Sequence, residues 1–303
     1  MKHSLKIVSL LLAMFLITQL IGLAVIYAYT PEIKELSDDS GNIKNITVSY
    51  LPYGTAPPAD ITPQISLISI IIALFFAVAL MFILMKLRIE FILRFWFFTV
   101  VTLALAITIN SAILGIKNAS LIALIIALPF AYIKIFKRNI LVHNLTELLI
   151  YPGIAAILVP ILNIWATIVL LIFLSIYDVY AVWHAGFMQK MAKYQIQKLR
   201  LFAGFFVPYL RKEDMIALKK TKGKTKNVKV SVAILGGGDV VFPIILAGVV
   251  LYSMGIIQAL IISVCATLAL ACLFYKSEKG KFYPALPFIS AGCFIGLAIA
   301  YLI

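Results

Sequence analysis

Twelve aspartates and glutamates occur in the chain, and ten of them fall in loops or at the ends of apolar runs. Asp178 and Asp239 instead lie well inside such runs. An ionised group in the middle of a bilayer costs about 3 kcal/mol on insertion scales, so its presence there implies a task. No Lys or Arg lies inside the same runs, which argues against a structural ion pair. Two carboxyls brought close together cannot both ionise cheaply and share one proton. The ionised member can deprotonate a water, while the protonated member polarises a carbonyl and later protonates a leaving amine. That chemistry needs no metal, no cofactor and no covalent intermediate, and the two titrations belong to the pair. The competing readings are a polar contact between helices and a proton relay in a transporter or channel.

The elements that must carry these residues are membrane helices. The chain has 303 residues, of which 63% are hydrophobic and only 13% charged, and its mean hydropathy is +1.08. A soluble domain would be roughly half apolar and about a quarter charged. Apolar stretches of about 20 residues each mark nine expected spans. They run over Ile7–Tyr29, Ile65–Met85, Phe91–Leu114, Ala119–Phe136, Leu145–Leu162, Ile164–Phe187, Val230–Met254, Ile256–Tyr275 and Tyr283–Ile303. The expectation is an all-α polytopic protein forming one membrane domain over 1–303. Helices 1–6 fill 1–187, a basic loop 188–229, and helices 7–9 fill 230–303.

Charge sets the orientation. Basic residues gather on alternate loops, most strongly at 188–229 with twelve Lys/Arg against two acids. The positive-inside rule then puts the N-terminus in the cytoplasm and the C-terminus outside, a parity that an odd number of spans satisfies. The net charge of +14 is accounted for by loops facing anionic lipid, so nucleic acid is excluded as a partner. The first half of the 188–229 loop reads as an amphipathic surface helix. The segment between helices 1 and 2 reads as an external loop with a short hairpin around Ile46–Leu51. Asn110 and Gln258 are candidates for hydrogen bonds between helices. Cys265, Cys272 and Cys293 fall in apolar runs and imply no disulfide framework.

Three local features surround the aspartates. Asp178 lies about nine residues before the cytoplasmic end of helix 6 and Asp239 about nine after the start of helix 7, so at about 1.5 Å per residue both sit about 13 Å deep. Gly236, Gly237 and Gly238 directly precede Asp239. Consecutive glycines are poor helix material and are expected to loosen helix 7 and admit a close neighbour. Pro284 and Pro287 flank Ala285-Leu286 at the start of helix 9 and forbid a regular first turn.

Taken together, Tyr177-Asp178, Leu235-Gly236-Gly237-Gly238-Asp239 and Pro284-Ala285-Leu286 resemble the motifs of the presenilin and signal peptide peptidase family, the GxGD intramembrane aspartyl proteases. The likeness is greatest to archaeal presenilin homologues. The order of the motifs, their separate helices and the nine spans agree with it. The resemblance implies a presenilin-like fold in an archaeal cell membrane, with Asp178 and Asp239 as the catalytic pair. It implies supporting roles for Tyr177, Leu235 and the three glycines, and substrate docking by Pro284, Ala285 and Leu286. The expected substrates are single-span membrane proteins, cut inside the bilayer after local unwinding and addition to a strand near the site. The short 188–229 loop argues against self-cleavage and obligate partner subunits; self-association is left open. A prepilin-type peptidase also carries GxGD, but is expected to have fewer spans and no Pro-Ala-Leu element.

Overall fold

The computed structural model describes residues 5–30, 32–37, 43–48, 50–56, 63–87, 90–137, 139–185, 203–209, 231–277 and 283–303. Helices dominate. They are α1 (Leu5–Ala28), α2 (Pro63–Lys86), α3 (Glu90–Ala112), α4 (Ala119–Tyr132), α5 (Ile140–Leu158), α6 (Ile164–Tyr180), α7 (Gly237–Ser253), α8 (Ile256–Lys276) and α9 (Leu286–Ala300). A π-helical turn, Ile133–Lys137, extends α4, and a second, Ala181–Ala185, extends α6. Among the described residues, six helices are long and apolar enough to cross a membrane, and the apolar stretches Leu67–Leu80, Gly237–Ser253 and Leu286–Ala300 are shorter. The chain is thus a multi-pass membrane protein.

The expectation of an all-α chain needs correction. Two antiparallel hairpins are present: β1 (Glu32–Ser37) with β2 (Ile43–Val48), and β3 (Gly204–Tyr209) with β4 (Ser231–Gly236). The first lies a few residues before the hairpin expected around Ile46–Leu51. The second replaces both a part of the supposed 188–229 loop and the first turns of the supposed helix 7. The amphipathic helix expected in the first half of that loop falls outside the described residues.

Local chemistry explains several boundaries. Asn139 accepts from the backbone N–H groups of Leu141 and Val142 and starts α5. The helix therefore begins at Ile140, not Leu145, because a side-chain oxygen satisfies donors that a helix start leaves free. Asn163 does the same for α6 through the Ala166 N–H at 2.8 Å. Pro152 sits inside α5 without ending it.

The central element is α7, which packs against α1, α5, α6, α8 and α9. Its residues from Val240 to Leu251 are buried on almost every side. Behind it, α8 and α9 approach closely through glycines on α9. A Cβ on Gly292 would lie 2.7 Å from the Cys265 carbonyl oxygen, and one on Gly296 would lie 2.9 Å from Ile262 Cα. Spaced four apart, the two glycines let the helix backbones meet, which is how small residues promote packing where lipid gives no hydrophobic drive. Asn110 on α3 donates to the Tyr29 hydroxyl at 2.8 Å, and Tyr29 donates to the Ile107 carbonyl at 2.8 Å. This ties α1 to α3 as expected of an interhelical amide. Gln258, in the first turn of α8, makes no such hydrogen bond among the described residues. Trp165 and Trp183, near the two ends of α6, are exposed.

Candidate active site

Each aspartate sits where a helix offers unpaired backbone N–H groups. Asp178 lies near the end of α6 and is buried. Its Oδ2 accepts from the Leu286 backbone N–H at 3.2 Å, and the Ala285 N–H also faces the carboxylate. Ala285 is the N-cap of α9 and has no capping side chain of its own. The cap is supplied across the bundle by Asp178, an acid at the positive end of a helix dipole. Pro284 and Pro287 carry no N–H, so the donors turned to the carboxylate are those of Ala285 and Leu286. A hydroxyl contact reinforces the junction: Ser175, three residues before Asp178, lies 3.0 Å from Ser290 on α9.

Asp239 is the third residue of α7, whose N-cap is Gly236. From that position its carboxylate returns to the Gly236 N–H, which is one half of a capping box, the other half being absent because glycine has no side chain. A Cβ on Gly236 would lie 3.1 Å from Asp239 Oδ2. The glycines thus start a helix rather than loosen one, and Asp239 follows a strand instead of nine helical residues. The depth argument for Asp239 falls with that correction. Pro243, four residues on, removes the donor that would bond the Asp239 carbonyl. Gln19, buried in α1, donates to the next carbonyl, Val240, at 3.0 Å.

Helix α6 packs on α7, and Asp178 lies within electrostatic range of Asp239. Tyr177 lies half-buried beside Asp178. Leu235 is buried on β4, opposite Phe205. Gly237 is walled by Tyr151: a Cβ there would lie 2.7 Å from the Tyr151 hydroxyl. Gly238 is exposed, and a Cβ there would meet only the Phe242 ring, at 3.6 Å. Among the described residues no cluster of three His, Cys, Asp or Glu side chains could hold a metal ion.

The β3–β4 hairpin leads directly into this site. Gly236 pairs with Gly204, and the Gly237 N–H donates to the Ala203 carbonyl at 3.2 Å. Helix α5 covers the outer edge of β3: Asn144 donates to the Phe206 carbonyl at 2.9 Å and accepts from its N–H at 3.0 Å. The His143 ring contacts the Gly204 carbonyl at 2.9 Å. Because alternate residues of an antiparallel pair point their backbone groups outward, the partners Ile234 and Gly236 turn theirs away from β3. Among the described residues the open edge of the hairpin therefore belongs to β4, which ends at Gly236, three residues before Asp239.

Sequence reasoning missed the residues that hold this arrangement. The sequence puts Glu147 near the start of one apolar run and Lys134 near the end of another. Both are buried, Glu147 at 1% exposure, and they form an ion pair. The available signal was Asn139, whose capping preference lengthens α5 by more than a turn and carries Glu147 inside. Gln19, Asn144, Tyr151, Ser175 and Ser290 gave no signal, because their partners are distant in sequence. The side chain of His184, expected near the membrane surface, lies outside the described residues.

The fold is thus a bundle of apolar membrane helices that holds two aspartates by backbone donors. A family model described as signal-peptide peptidase, presenilin aspartyl protease matches residues 49–303, and the chain belongs to that family. Two solved structures of a presenilin family intramembrane aspartate protease share its fold. One, in space group C222, aligns with a TM-score of 0.62 at 18% identity, over 97% of this chain and 98% of that one. The other, in space group P2, gives 0.60 at 18% identity over 96% of each chain. No curated protein matches the chain.

Proposed function

We propose that the protein is an endopeptidase that hydrolyses peptide bonds within transmembrane segments, using Asp178, Asp239 and a water molecule. The observation that supports this reading is that each carboxyl group is met by backbone N–H groups at the start of a helix, and that these two helices pack on each other. Such donors hold a carboxylate's direction without supplying a counter-ion that would lock both in the charged form. One proton is then shared between them. The ionised carboxyl deprotonates the water as it attacks the scissile carbonyl. The other protonates the carbonyl oxygen and, on collapse of the tetrahedral intermediate, a proton passes to the departing amine.

The substrates are single-span membrane proteins. An unwound segment adds to the open edge of β4, which delivers backbone hydrogen bonds irrespective of side chain and ends beside Asp239. Pro284, Ala285 and Leu286 shape the opposite wall and dock the substrate, held in place by the Ala285 and Leu286 N–H groups that Asp178 accepts. Tyr177, Leu235 and the glycines support the site. The amino end faces the cytoplasm of an archaeal cell, the 188–229 loop lies on the same side, and the chain acts without obligate partner subunits.

The test is cleavage of a single-span substrate by purified protein in detergent. Asp178→Ala and Asp239→Ala are each expected to abolish cleavage while leaving the helical spectrum intact. Undiminished cleavage by either variant would sink the assignment. If the aspartates instead relay protons in a transporter, liposomes will show ion flux that both substitutions abolish and no peptide product.

A further inference from the structure

A buried polar line runs from the turn after α4 towards Asp239, and the two-aspartate chemistry leaves it without a task. Lys134 pairs with Glu147, and its Nζ also lies 3.2 Å from His143 Nδ1. Lysine only donates, so Nδ1 accepts and the ring proton sits on Nε2, which donates to the Gly204 carbonyl. His143, Glu147 and Tyr151 are spaced four apart and stack along one face of α5. Tyr151 ends the line. It is 3% exposed, and its ring meets Phe205 edge-on at 5.9 Å. A Cβ on Gly237 would lie 2.7 Å from its hydroxyl oxygen and 2.8 Å from Cε1. The hydroxyl lies within hydrogen-bonding range of Glu147 on one side and within electrostatic reach of Asp239 on the other. Phenylalanine would fill the same space but leave the Gly237 turn without the hydroxyl that lies against it.

We propose that Tyr151 is a positioning residue for Asp239. Its ring seats the Gly237 turn that begins α7, and its hydroxyl presents a dipole to the Asp239 carboxyl. The Lys134–Glu147 pair fixes the charge behind it. The inference rests on the reading of Asp239 as a reacting carboxyl. The groups that face this pair are Glu147 and His143 from α5, Lys134 from the turn after α4, and Asp178 with Tyr177 from α6.

The experiment compares wild type, Tyr151→Phe and Asp239→Ala, full-length and in detergent, for cleavage of a single-span substrate across pH. Tyr151→Phe is expected to fold, with a thermal midpoint within a few degrees of wild type. Its kcat should fall about tenfold at unchanged KM, the effect of one lost interaction in the transition state. Its pH–rate profile should be displaced. A kcat and a profile that superimpose on wild type overturn the proposal. So does a fall in activity matched by a fall in thermal midpoint with an unmoved profile, which is the signature of packing alone. Asp239→Ala separates the two readings. If it cleaves normally, the proteolytic assignment fails and takes this inference with it. If it is inactive and Tyr151→Phe is normal, the Tyr151 inference fails alone.

Discussion

At the scale of single residues, the buried ion pair between Lys134 and Glu147 is the most exposed to test. Both side chains are almost fully shielded, at 6% and 2% exposure. Removing one partner strands the other's charge, which costs about 3–5 kcal/mol, whereas replacing both with apolar groups of similar volume is close to neutral. Lys134→Met should therefore lower the thermal midpoint in detergent sharply, and Lys134→Met with Glu147→Leu should recover most of the loss. A double variant as unstable as the single one would mean that the pair does more than neutralise itself. The two candidate catalytic aspartates are the opposite case. Neither has a cation among the described residues, and both are held by backbone donors, Asp178 through Leu286 N–H and Asp239 through Gly236 N–H. Backbone donors cannot be removed by exchanging a side chain, so this part of the site is built into the helix starts.

At the scale of elements, the β3–β4 hairpin converts a fold into a site. Its register sets Gly204 against Gly236 and Phe206 against Ile234, and α5 occupies the β3 edge through Asn144. The N–H of Ile234 points away from β3 and is a donor for an added strand. Proline removes that donor and is tolerated at a free edge. Ile234→Pro is expected to reduce kcat/KM by about tenfold, as for loss of one transition-state hydrogen bond, with little change in thermal midpoint. Asn144→Ala, which uncovers the other edge, should show itself as faster amide exchange over 204–209. An Ile234→Pro variant of wild-type activity would mean that substrate does not add to this edge.

At the scale of the whole molecule, the site exists only because α6, α7 and α9 converge. A ligand that touches both aspartates binds this convergence and nothing in the unfolded chain. A transition-state mimic carrying a hydroxyl at the scissile position should raise the thermal midpoint, by about 2.7 kcal/mol of stability at a hundredfold excess over its Kd. Asp178→Ala and Asp239→Ala should lose that increment. An equal shift in all three proteins would show that the mimic binds elsewhere. The central position of α7 also follows at this scale. Every helix here is apolar nearly all round, so amphipathicity, which in a soluble protein separates buried from exposed faces, carries no such information.

The sequence by itself determined a multi-pass helical membrane protein, the family to which it belongs, and the two aspartates that no buried cation accompanies. Composition and motif decide these, because a bilayer demands long apolar runs and makes an isolated carboxylate conspicuous. The three glycines and the Pro-Ala-Leu segment were also visible, but their use was not. Helix periodicity and strand alternation look alike in a short apolar run such as Ser231–Gly236, so the strand before Asp239 was read as helix. Only the tertiary structure decided that Gly236 caps α7, that Asp178 caps α9, and that Glu147 finds Lys134. The last two join groups from different helices, and no local pattern encodes a partner that the chain reaches only after it has packed; the first is local but follows from the β3–β4 pairing that ends at Gly236.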